Sequence, residues 1–493
     1  MKQFSLPKIT FWRVLGILLI AAGIYSAVYR FVYGLGAATN LSDDVPWGLW
    51  IGFDVLSGVG LAGGGFVLCA IVYLFNIQRF KPIVRPAVLT AFLGYIFVNC
   101  ALILDLGKPL HIWHAMVMWN PHSVLFEVAW CVMLYTTVLA LEFSPVVLEK
   151  FKFTGLLKVV KAITLPLVLV GVLLSTLHQS SLGSLFLIVP NKLHPFWYSP
   201  MLPVFFFLSA LAVGAGMTIV ESFLSARAFQ RALETPLLRE LARLMVVVLL
   251  VYATAKILDF GHRGVLSMVF NGSLAATLLW IELGLFIVVP VIILSIPRLA
   301  RNQVGLFVGA VSVVLGFVMN RLNVSVTGME ASLRTGYFPS LMELSITAGL
   351  VALGFWIFAL AVKYFPVFAE PHDAAAVQIP PALTSTAAPN GIINWPLLLR
   401  GSHFAEHRAR IEAPYRCSAT GLSSPTAQDY EEMIRVTEQM KAVLKQISAQ
   451  ISARDYLNTE ARLDQFAAKV RSRIAIHTPK ATPTAPAASL AAN

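Results

Sequence analysis

Ten apolar segments, each about as long as a membrane-spanning helix, occupy most of the first 370 residues. A helix needs about 20 mostly apolar residues to cross the hydrocarbon core of a bilayer. Charged residues are only 13% of the chain, against about 25% in a typical soluble protein, so a soluble fold could not cover its surface. The sequence therefore predicts an all-α, polytopic membrane helix bundle, with spans at residues 11–36, 48–76, 87–107, 123–143, 159–181, 201–226, 241–262, 274–297, 303–322 and 342–368.

Basic residues divide unequally between the two sets of loops. The even-numbered loops carry thirteen Lys and Arg residues, whereas the odd-numbered loops and adjacent helix ends carry five, including Arg321. Because loops rich in Lys and Arg stay in the cytoplasm, we expect the even loops and both termini to be cytoplasmic. The basic residues do not cluster with aromatic residues as they do in nucleic-acid-binding proteins, so no nucleic-acid partner is expected.

Ligands for metals and haem are sparse. There are four cysteines and no CxxC motif, and three of the cysteines lie singly in apolar segments. The chain therefore lacks the cysteines for an iron–sulfur cluster or a structural zinc site. A b-type haem usually needs two histidines on facing helices at matched depth, and only His178 is predicted to lie inside a span. We expect no metal, haem or iron–sulfur cluster in this chain.

Polar and ionisable residues in the predicted spans gather toward the non-cytoplasmic side, under loops rich in Trp, Pro and His. An ionisable side chain inside a span is costly and is a functional hypothesis by default. Arg30 and Asp54 fall at equal depth, roughly 9 Å below the outer edge, which predicts a structural ion pair. Buried carboxylates can carry protons, and His and Tyr can donate to the two carbonyls of a quinone. The pattern indicates a quinone site or proton path formed from Trp50, Asp54, Tyr95, Asp105, Glu127, His178 and Gln179.

The composition changes after residue 369. Residues 370–425 begin with an Ala- and Pro-rich stretch and are interpreted as a linker, and residues 426–478 as a cytoplasmic amphipathic helical segment. Apolar residues in this segment recur at alternating intervals of three and four and form a seam at Met433, Val436, Met440, Val443, Ile447 and Ile451. This spacing predicts either a lone amphipathic helix or a coiled coil. Residues 479–493 are predicted to be a disordered tail.

Nine short segments between residues 11 and 369 carry a family likeness: "VYGLG", "PWGLWIGFD", "LAGGGFVL", "FNIQRFKPIVRPA", "SVLFEVAWC", "LEFSP", "LHQSSLGS", "LHPFWYSPMLP" and "YFPSLMEL". In this order they resemble the NrfD/PsrC superfamily, and most of all its HybB-like branch, the ten-helix membrane subunit of periplasmic nickel–iron hydrogenases. The resemblance implies two four-helix bundles, helices 2–5 and 6–9, in a bacterial inner membrane. This chain differs from the family in one respect: over a hundred residues follow helix 10 here, whereas a typical HybB-like subunit ends soon after that helix.

The resemblance also implies a function. Such subunits carry no redox cofactor, anchor a periplasmic iron–sulfur subunit and a catalytic subunit, and exchange electrons with menaquinone or ubiquinone near the periplasmic face. In some members this exchange is thought to be coupled to proton movement. Four residues occupy positions that belong to family motifs, and the resemblance implies quinone-site or proton-path roles for them: Asp54 in "WIGFD", Tyr95 in "FLGYI", Glu127 in "LFEVAW" and His178 in "LHQSS".

Three alternatives stay open at this point. The extension after helix 10 is compatible with a sulfur, polysulfide or molybdopterin oxidoreductase of the same superfamily instead of a hydrogenase. A secondary transporter would also have about ten helices and buried charge, although its site would lie at the midplane between broken helices. A pure membrane anchor without a quinone site is the third.

Overall fold

Ten long apolar helices form the membrane part of the chain. The computed structural model describes residues 10–368, 427–446 and 459–470, except 462 and 469. Within these residues, ten helices are long and apolar enough to cross a membrane, which confirms the predicted fold class. In chain order they are α1 (Phe11–Tyr33), α2 (Trp50–Leu74), α3 (Gln78–Asp105), α4 (Val124–Phe151), α5 (Thr164–Ile188), α6 (Leu202–Ala228), α7 (Thr235–His262), α8 (Leu274–Ser295), α9 (Gln303–Leu333) and α10 (Leu341–Tyr364).

Two helices extend well past their predicted ends. Helix α5 continues beyond residue 181 to Ile188, and α9 continues beyond residue 322 to Leu333. The polar residues that suggested an end, such as Gln179 and Asn323, are buried between helices. As a consequence, His178 lies about 15 Å from the end of α5. Arg321, which the loop-charge analysis placed at a helix end, lies inside α9 and is only 1% exposed.

The helices pack as two four-helix bundles and a flanking pair. Helix α2 contacts α3, α3 contacts α4, α4 contacts α5, and α5 returns to α2. Helices α6 to α9 close a second bundle through the same order of contacts. The two bundles meet where α6 packs on α2 and α5 and where α9 packs on α2. This central position of α2 explains why most of its membrane-spanning stretch is buried inside the protein.

Helices α1 and α10 pack against each other along their length. The hydroxyl oxygens of Ser26 and Ser345 are 2.7 Å apart. A Cβ atom added to Gly349 would lie 3.1 Å from the Gly23 Cα and 3.1 Å from the Leu19 carbonyl oxygen. Small residues let helix backbones approach closely in a membrane, where apolar side chains gain nothing by leaving lipid. The glycines therefore set the α1–α10 distance.

The C-terminal part of the chain belongs to a separate compact unit, Ala375–Asn493. It contains α11 (Ala427–Gln446), in which the predicted seam residues Met433, Val436 and Met440 are buried. Leu444 is buried where the seam predicts Val443. An ion pair of 2.5 Å joins Lys441 to Asp464 in the helical stretch 459–470, so α11 contacts a neighbour from its own chain. Ile447, Ile451, the predicted linker beyond residue 368 and the predicted tail lie outside the described residues.

We predict that Gly349→Leu separates α1 from α10, because the side chain would overlap the Gly23 backbone. Overpacking of this kind costs about 1–3 kcal/mol, and the expected result is a lower thermal unfolding midpoint in detergent. Gly284→Leu is the matched control, since nothing lies within 4 Å of a Cβ at that spanning position. Equal midpoints for the two variants would contradict the role of Gly349.

Candidate functional site

Five buried polar side chains from α3 and the helices that follow it meet inside the first bundle. This group, which we call the His178 cluster, consists of Tyr95 from α3, Tyr135 from α4, and Ser175, His178 and Gln179 from α5. The Tyr95 ring lies 5.7 Å from the His178 ring and 4.7 Å from the Tyr135 ring, between centroids. Tyr95, Tyr135 and His178 each lie about 15–16 Å along the helix axis from the helix end nearest Glu127. The group therefore lies deep in the membrane. All five side chains are at most 1% exposed.

The His178 cluster contains polar atoms that have no hydrogen-bond partner. They are the Tyr95 and Tyr135 hydroxyls, the Ser175 hydroxyl, both ring nitrogens of His178 and the Gln179 side-chain oxygen. Ser175 lies beside both tyrosines, yet makes no bond of standard geometry. Gln179 satisfies its nitrogen only, through a bond of 3.3 Å to the Val59 carbonyl. An unsatisfied buried polar group costs about 1–3 kcal/mol, so a polar ligand that paired with these atoms would remove that cost.

Glu127 lies at one end of the same bundle, the end at which α4 begins. It occupies the first turn of α4, where its carboxylate accepts a hydrogen bond of 2.5 Å from the Ser181 hydroxyl of α5. Glu127 is exposed. Cys131 and Tyr135 follow it at successive intervals of four residues, a spacing that keeps side chains on one helix face. Ser181 likewise follows His178 by three residues on α5. Both helices therefore present a polar stripe that runs from this end of the bundle to the His178 cluster.

A second carboxylate, Glu142, continues the α4 stripe toward the opposite membrane face. The Cys69 sulfur lies 4.0 Å from a Glu142 oxygen, and a Cβ added to Gly171 of α5 would lie 3.2 Å from the other. Glu142 thus points between helices. Its Cα lies about 22 Å from that of Glu127 along α4, given a rise of 1.5 Å per residue. The first bundle therefore has a carboxylate toward each end, with the His178 cluster between them.

The other predicted site residues gather where the ends of α1, α2, α3 and α10 meet. Arg30 donates to the Leu104 carbonyl at 2.6 Å and to the Leu106 carbonyl, while Asp54 accepts from the Thr347 hydroxyl at 2.6 Å. The predicted Arg30–Asp54 ion pair is therefore not formed. The guanidinium instead binds carbonyls at the C-terminal end of α3, which lack intrahelical partners and carry partial negative charge. Asp105 interacts electrostatically with Arg30 from the same end.

Trp50 belongs to this second group, not to the His178 cluster. Its ring is 1% exposed and packs with Leu104 and Ile346, and its indole nitrogen donates to the Glu343 backbone oxygen at 3.2 Å. The side chain has no further donor to offer. Trp50 is the first residue of α2, whereas His178 lies about 15 Å from the end of α5, so the structure does not bring the two predicted quinone-site residues together.

Glu343 anchors this end of the molecule and has no assigned role in the sequence analysis. It forms a capping box with Ser340 at the start of α10, and its carboxylate accepts a bond of 3.1 Å from the Tyr337 hydroxyl. The same hydroxyl accepts from the Leu49 backbone nitrogen at 3.0 Å. Burial raises the pKa of Tyr337, so the phenol stays a hydrogen-bond donor. The S-x-x-E spacing in "SLME" is the sequence pattern of such a capping box.

The second bundle holds a contrasting group around Glu282 of α8. Its carboxylate accepts three hydrogen bonds, from Trp197 at 2.9 Å, Asn320 at 2.7 Å and Asn323 at 2.8 Å. Arg321 donates to Asn320 and Ser209 and lies 3.6 Å above the Phe206 ring. Both carboxylate oxygens thus accept hydrogen bonds from other parts of the chain, so the group holds helices together.

Several members of these groups escaped sequence reasoning. Tyr135 and Ser175 lie among apolar residues, and only the spacings from Glu127 and His178 would have linked them to the cluster. Asn320 and Asn323 flank residue 322, where the sequence predicts the end of the ninth span. Their partners come from distant parts of the chain, so the contacts depend on the packing of helices that no local pattern encodes.

The fold and the site together define a multi-pass membrane protein with an internal polar site in its first helix bundle. Residues 37–332 match the family described as polysulphide reductase, NrfD. Because the match covers more than half of the chain, the protein belongs to the NrfD family.

Three relatives are similar over most of their length. One is a protein of Nitratidesulfovibrio vulgaris, 40% identical over 73% of this chain and 95% of its own. Another is the probable Ni/Fe-hydrogenase 2 b-type cytochrome subunit of Escherichia coli, 33% identical over 69% of this chain and 88% of its own. The third is the integral membrane subunit of menaquinone reductase from Nitratidesulfovibrio vulgaris, 30% identical over 75% of this chain and 94% of its own.

We predict that Glu282→Ala destabilises the second bundle, because it leaves Trp197, Asn320 and Asn323 without their acceptor. Each buried donor left without its acceptor costs about 1–3 kcal/mol, and the expected result is a large loss of folded protein in membranes. Glu240→Ala is the control, since Glu240 pairs with Arg79 at the surface and such pairs contribute about 0–1 kcal/mol. Normal thermal stability of Glu282→Ala would contradict this assignment.

Proposed function

We propose that this chain is the quinone-reactive membrane subunit of a respiratory oxidoreductase, in which it exchanges electrons between the quinone pool and a periplasmic iron–sulfur partner. The observation that carries the proposal is the set of buried, unpartnered polar atoms in the His178 cluster. The names of two relatives, a menaquinone reductase subunit and a hydrogenase subunit, support the same class of reaction.

The chemistry of the His178 cluster fits a quinone head group. A quinone has two carbonyl oxygens that accept hydrogen bonds, and the ring N–H of His178 and the hydroxyls of Tyr95 and Tyr135 are unused donors. The aromatic rings of Tyr95 and Tyr135 supply flat apolar surface beside them. Gln179 is held by its bond to Val59 and leaves its side-chain oxygen to accept from a quinol hydroxyl.

Proton transfer accompanies quinone chemistry, since reduction takes up two protons with two electrons and oxidation releases them. Glu127 is exposed and bonded to Ser181, so it is placed to exchange protons with the outer aqueous phase. The Ser181 hydroxyl lies between Glu127 and His178 along the face of α5, and the hydroxyls of Tyr95 and Ser175 belong to the His178 cluster itself. Glu142 on the inner side of the same stripe supports a second proton route, and with it coupling to proton translocation.

Asp54 and Asp105 form a further titratable group close to the outer face. Asp54 is 8% exposed, and one Asp105 oxygen is buried without a partner. We infer that both carboxylates serve the outer proton path, rather than direct contact with a quinone at His178. Trp50 contributes by packing, because its indole donor is already bonded.

The partner is proposed to dock on the side where α3 ends and α4 begins. The connecting loop exposes several apolar side chains, with Leu110 86% and Trp119 65% exposed. Contiguous exposed apolar surface on a loop is typical of an interaction site. The loop lies at the same end as Glu127, so an iron–sulfur subunit and its catalytic subunit bound there would be close to the quinone site.

We propose that electrons enter and leave through the partner and that this chain binds no haem. One relative is named as a b-type cytochrome subunit. Within the described spans, however, His178 is the only histidine away from a helix end, so they offer no facing histidine pair for axial ligation. The two relatives' names leave hydrogenase and other quinone oxidoreductases as alternative complexes.

The unequal loop charge supports cytoplasmic termini and an inner-membrane location. Arg321 lies inside α9, so the odd loops carry Lys108, Lys192, Arg263 and Arg334. In this orientation Glu127 and the Trp50 group face the periplasm. We propose that Ala375–Asn493 is a cytoplasmic addition to a complete membrane domain.

We predict that Glu127→Gln strongly slows quinone turnover, because the amide keeps the shape of the side chain but cannot change protonation state. His178→Ala removes a donor to the quinone and should weaken its binding by about 1–3 kcal/mol. In both variants the partner should still react with a soluble dye. The measurement compares dye and quinone activities of the intact complex on the same quantified membranes.

Glu149→Gln is the matched control on α4, because Glu149 pairs with Arg85 and Lys161 near the opposite end of the helix. It should leave both activities unchanged. Equal loss of dye and quinone activity in Glu127→Gln would mean that the residue only supports folding. Normal quinone turnover in that variant would remove Glu127 from the proton path.

A further inference from the structure

Three arginines line one cleft at the end of the second bundle, far from the sites described above. The cleft has a volume of about 250 Å³ and lies where α7 begins, α8 ends and α9 begins. Arg239 and Arg243 come from the first turns of α7, and Arg301 from the connection between α8 and α9. The other lining residues are small or apolar: Ala242, Leu294, Ser295, Pro297, Ala300 and Leu306.

No carboxylate balances these three charges. The lining includes no Asp or Glu, and the ion pairs of the described residues include none of the three arginines. Glu240 is adjacent in sequence but pairs with Arg79, since neighbouring residues on a helix point in different directions. Three guanidinium groups around one small cleft repel each other unless an anion joins them.

Arg239 is held in place while part of its side chain remains unsatisfied. It donates to the Arg301 carbonyl, which fixes the guanidinium at the wall of the cleft. Its Nε atom is buried and has no hydrogen-bond partner. Arginine donors match the oxygens of a phosphate group in geometry and charge, so a phosphate in the cleft would use both the unpaired charge and the unpaired donor.

The position of the cleft in the fold favours a phosphate that belongs to a lipid. Ends of spanning helices lie at the depth of lipid head groups, and the wall of the cleft is apolar at Leu294 and Leu306. Exposed apolar side chains follow directly along the helices, with Ile292 54% and Val247 57% exposed. The phosphate of a phospholipid would contact the arginines in the cleft, and its acyl chains would contact the apolar surface beside the cleft.

We propose that this cleft binds the phosphate group of an anionic phospholipid. The site is independent of the quinone proposal, because it lies in the other bundle and uses none of the same residues. By the charge asymmetry of the loops it belongs to the cytoplasmic leaflet.

The test measures lipid binding to the purified full-length complex by native mass spectrometry, with added phosphatidylglycerol or phosphatidylcholine. At about fivefold in affinity for each Lys or Arg contact, the combined variant Arg239→Gln, Arg243→Gln, Arg301→Gln should bind phosphatidylglycerol about a hundredfold more weakly. Phosphatidylcholine binding should be the same in both proteins. The control combines Arg227→Gln, Arg298→Gln and Lys158→Gln, which removes three exposed charges outside the cleft and should bind like the parent.

The single variant Arg243→Gln, at an exposed side chain, covers the case in which the combined variant does not fold. It should weaken phosphatidylglycerol binding several-fold. Unchanged binding in Arg243→Gln, or an equal loss in the control, would overturn the site. Millimolar inorganic phosphate should fail to displace the lipid; full displacement by phosphate would show that the cleft selects a free anion and would overturn the lipid assignment.

Discussion

A polar group inside a bilayer has no water to bind, so it must find its partner within the protein or in a bound molecule. The two helix bundles answer this constraint differently. In the second bundle the Glu282 carboxylate accepts three hydrogen bonds. In the first bundle, His178 and its neighbours leave six buried polar atoms without partners. The unpartnered atoms of the first bundle are therefore the ones on which the quinone proposal rests.

The same constraint explains how the outer end of the molecule is built. Carbonyls at the end of α3 receive the guanidinium of Arg30, and the start of α10 is closed by the capping box of Glu343. The Arg30 bonds fix α1 against α3, and the bonds from Trp50 to the Glu343 carbonyl and from Thr347 to Asp54 fix α10 against α2. The titratable groups near that face are therefore held by helix ends, whereas the His178 cluster is held by side-chain packing.

The number of spanning helices could be predicted because hydrophobic length is a local property of sequence. The ends of α5 and α9 could not, because the polar residues there are buried by other helices. Equal depth suggested an Arg30–Asp54 pair, but depth along an axis does not give the direction in which a side chain points. His178, Tyr95 and Gln179 were predicted to share a site and do lie together, whereas Glu142 and Tyr135 gained their meaning only from the fold.

The central claim is that a quinone binds at the His178 cluster. It is tested most directly by photolabelling the intact complex in native membranes with a light-activated azidoquinone and locating the label by peptide mass spectrometry. The account predicts label on α3, α4 or α5 near Tyr95, Tyr135 and His178, and its loss when excess unlabelled quinone is added. Label confined to α6–α9, or label in the first bundle that excess quinone does not remove, would contradict it.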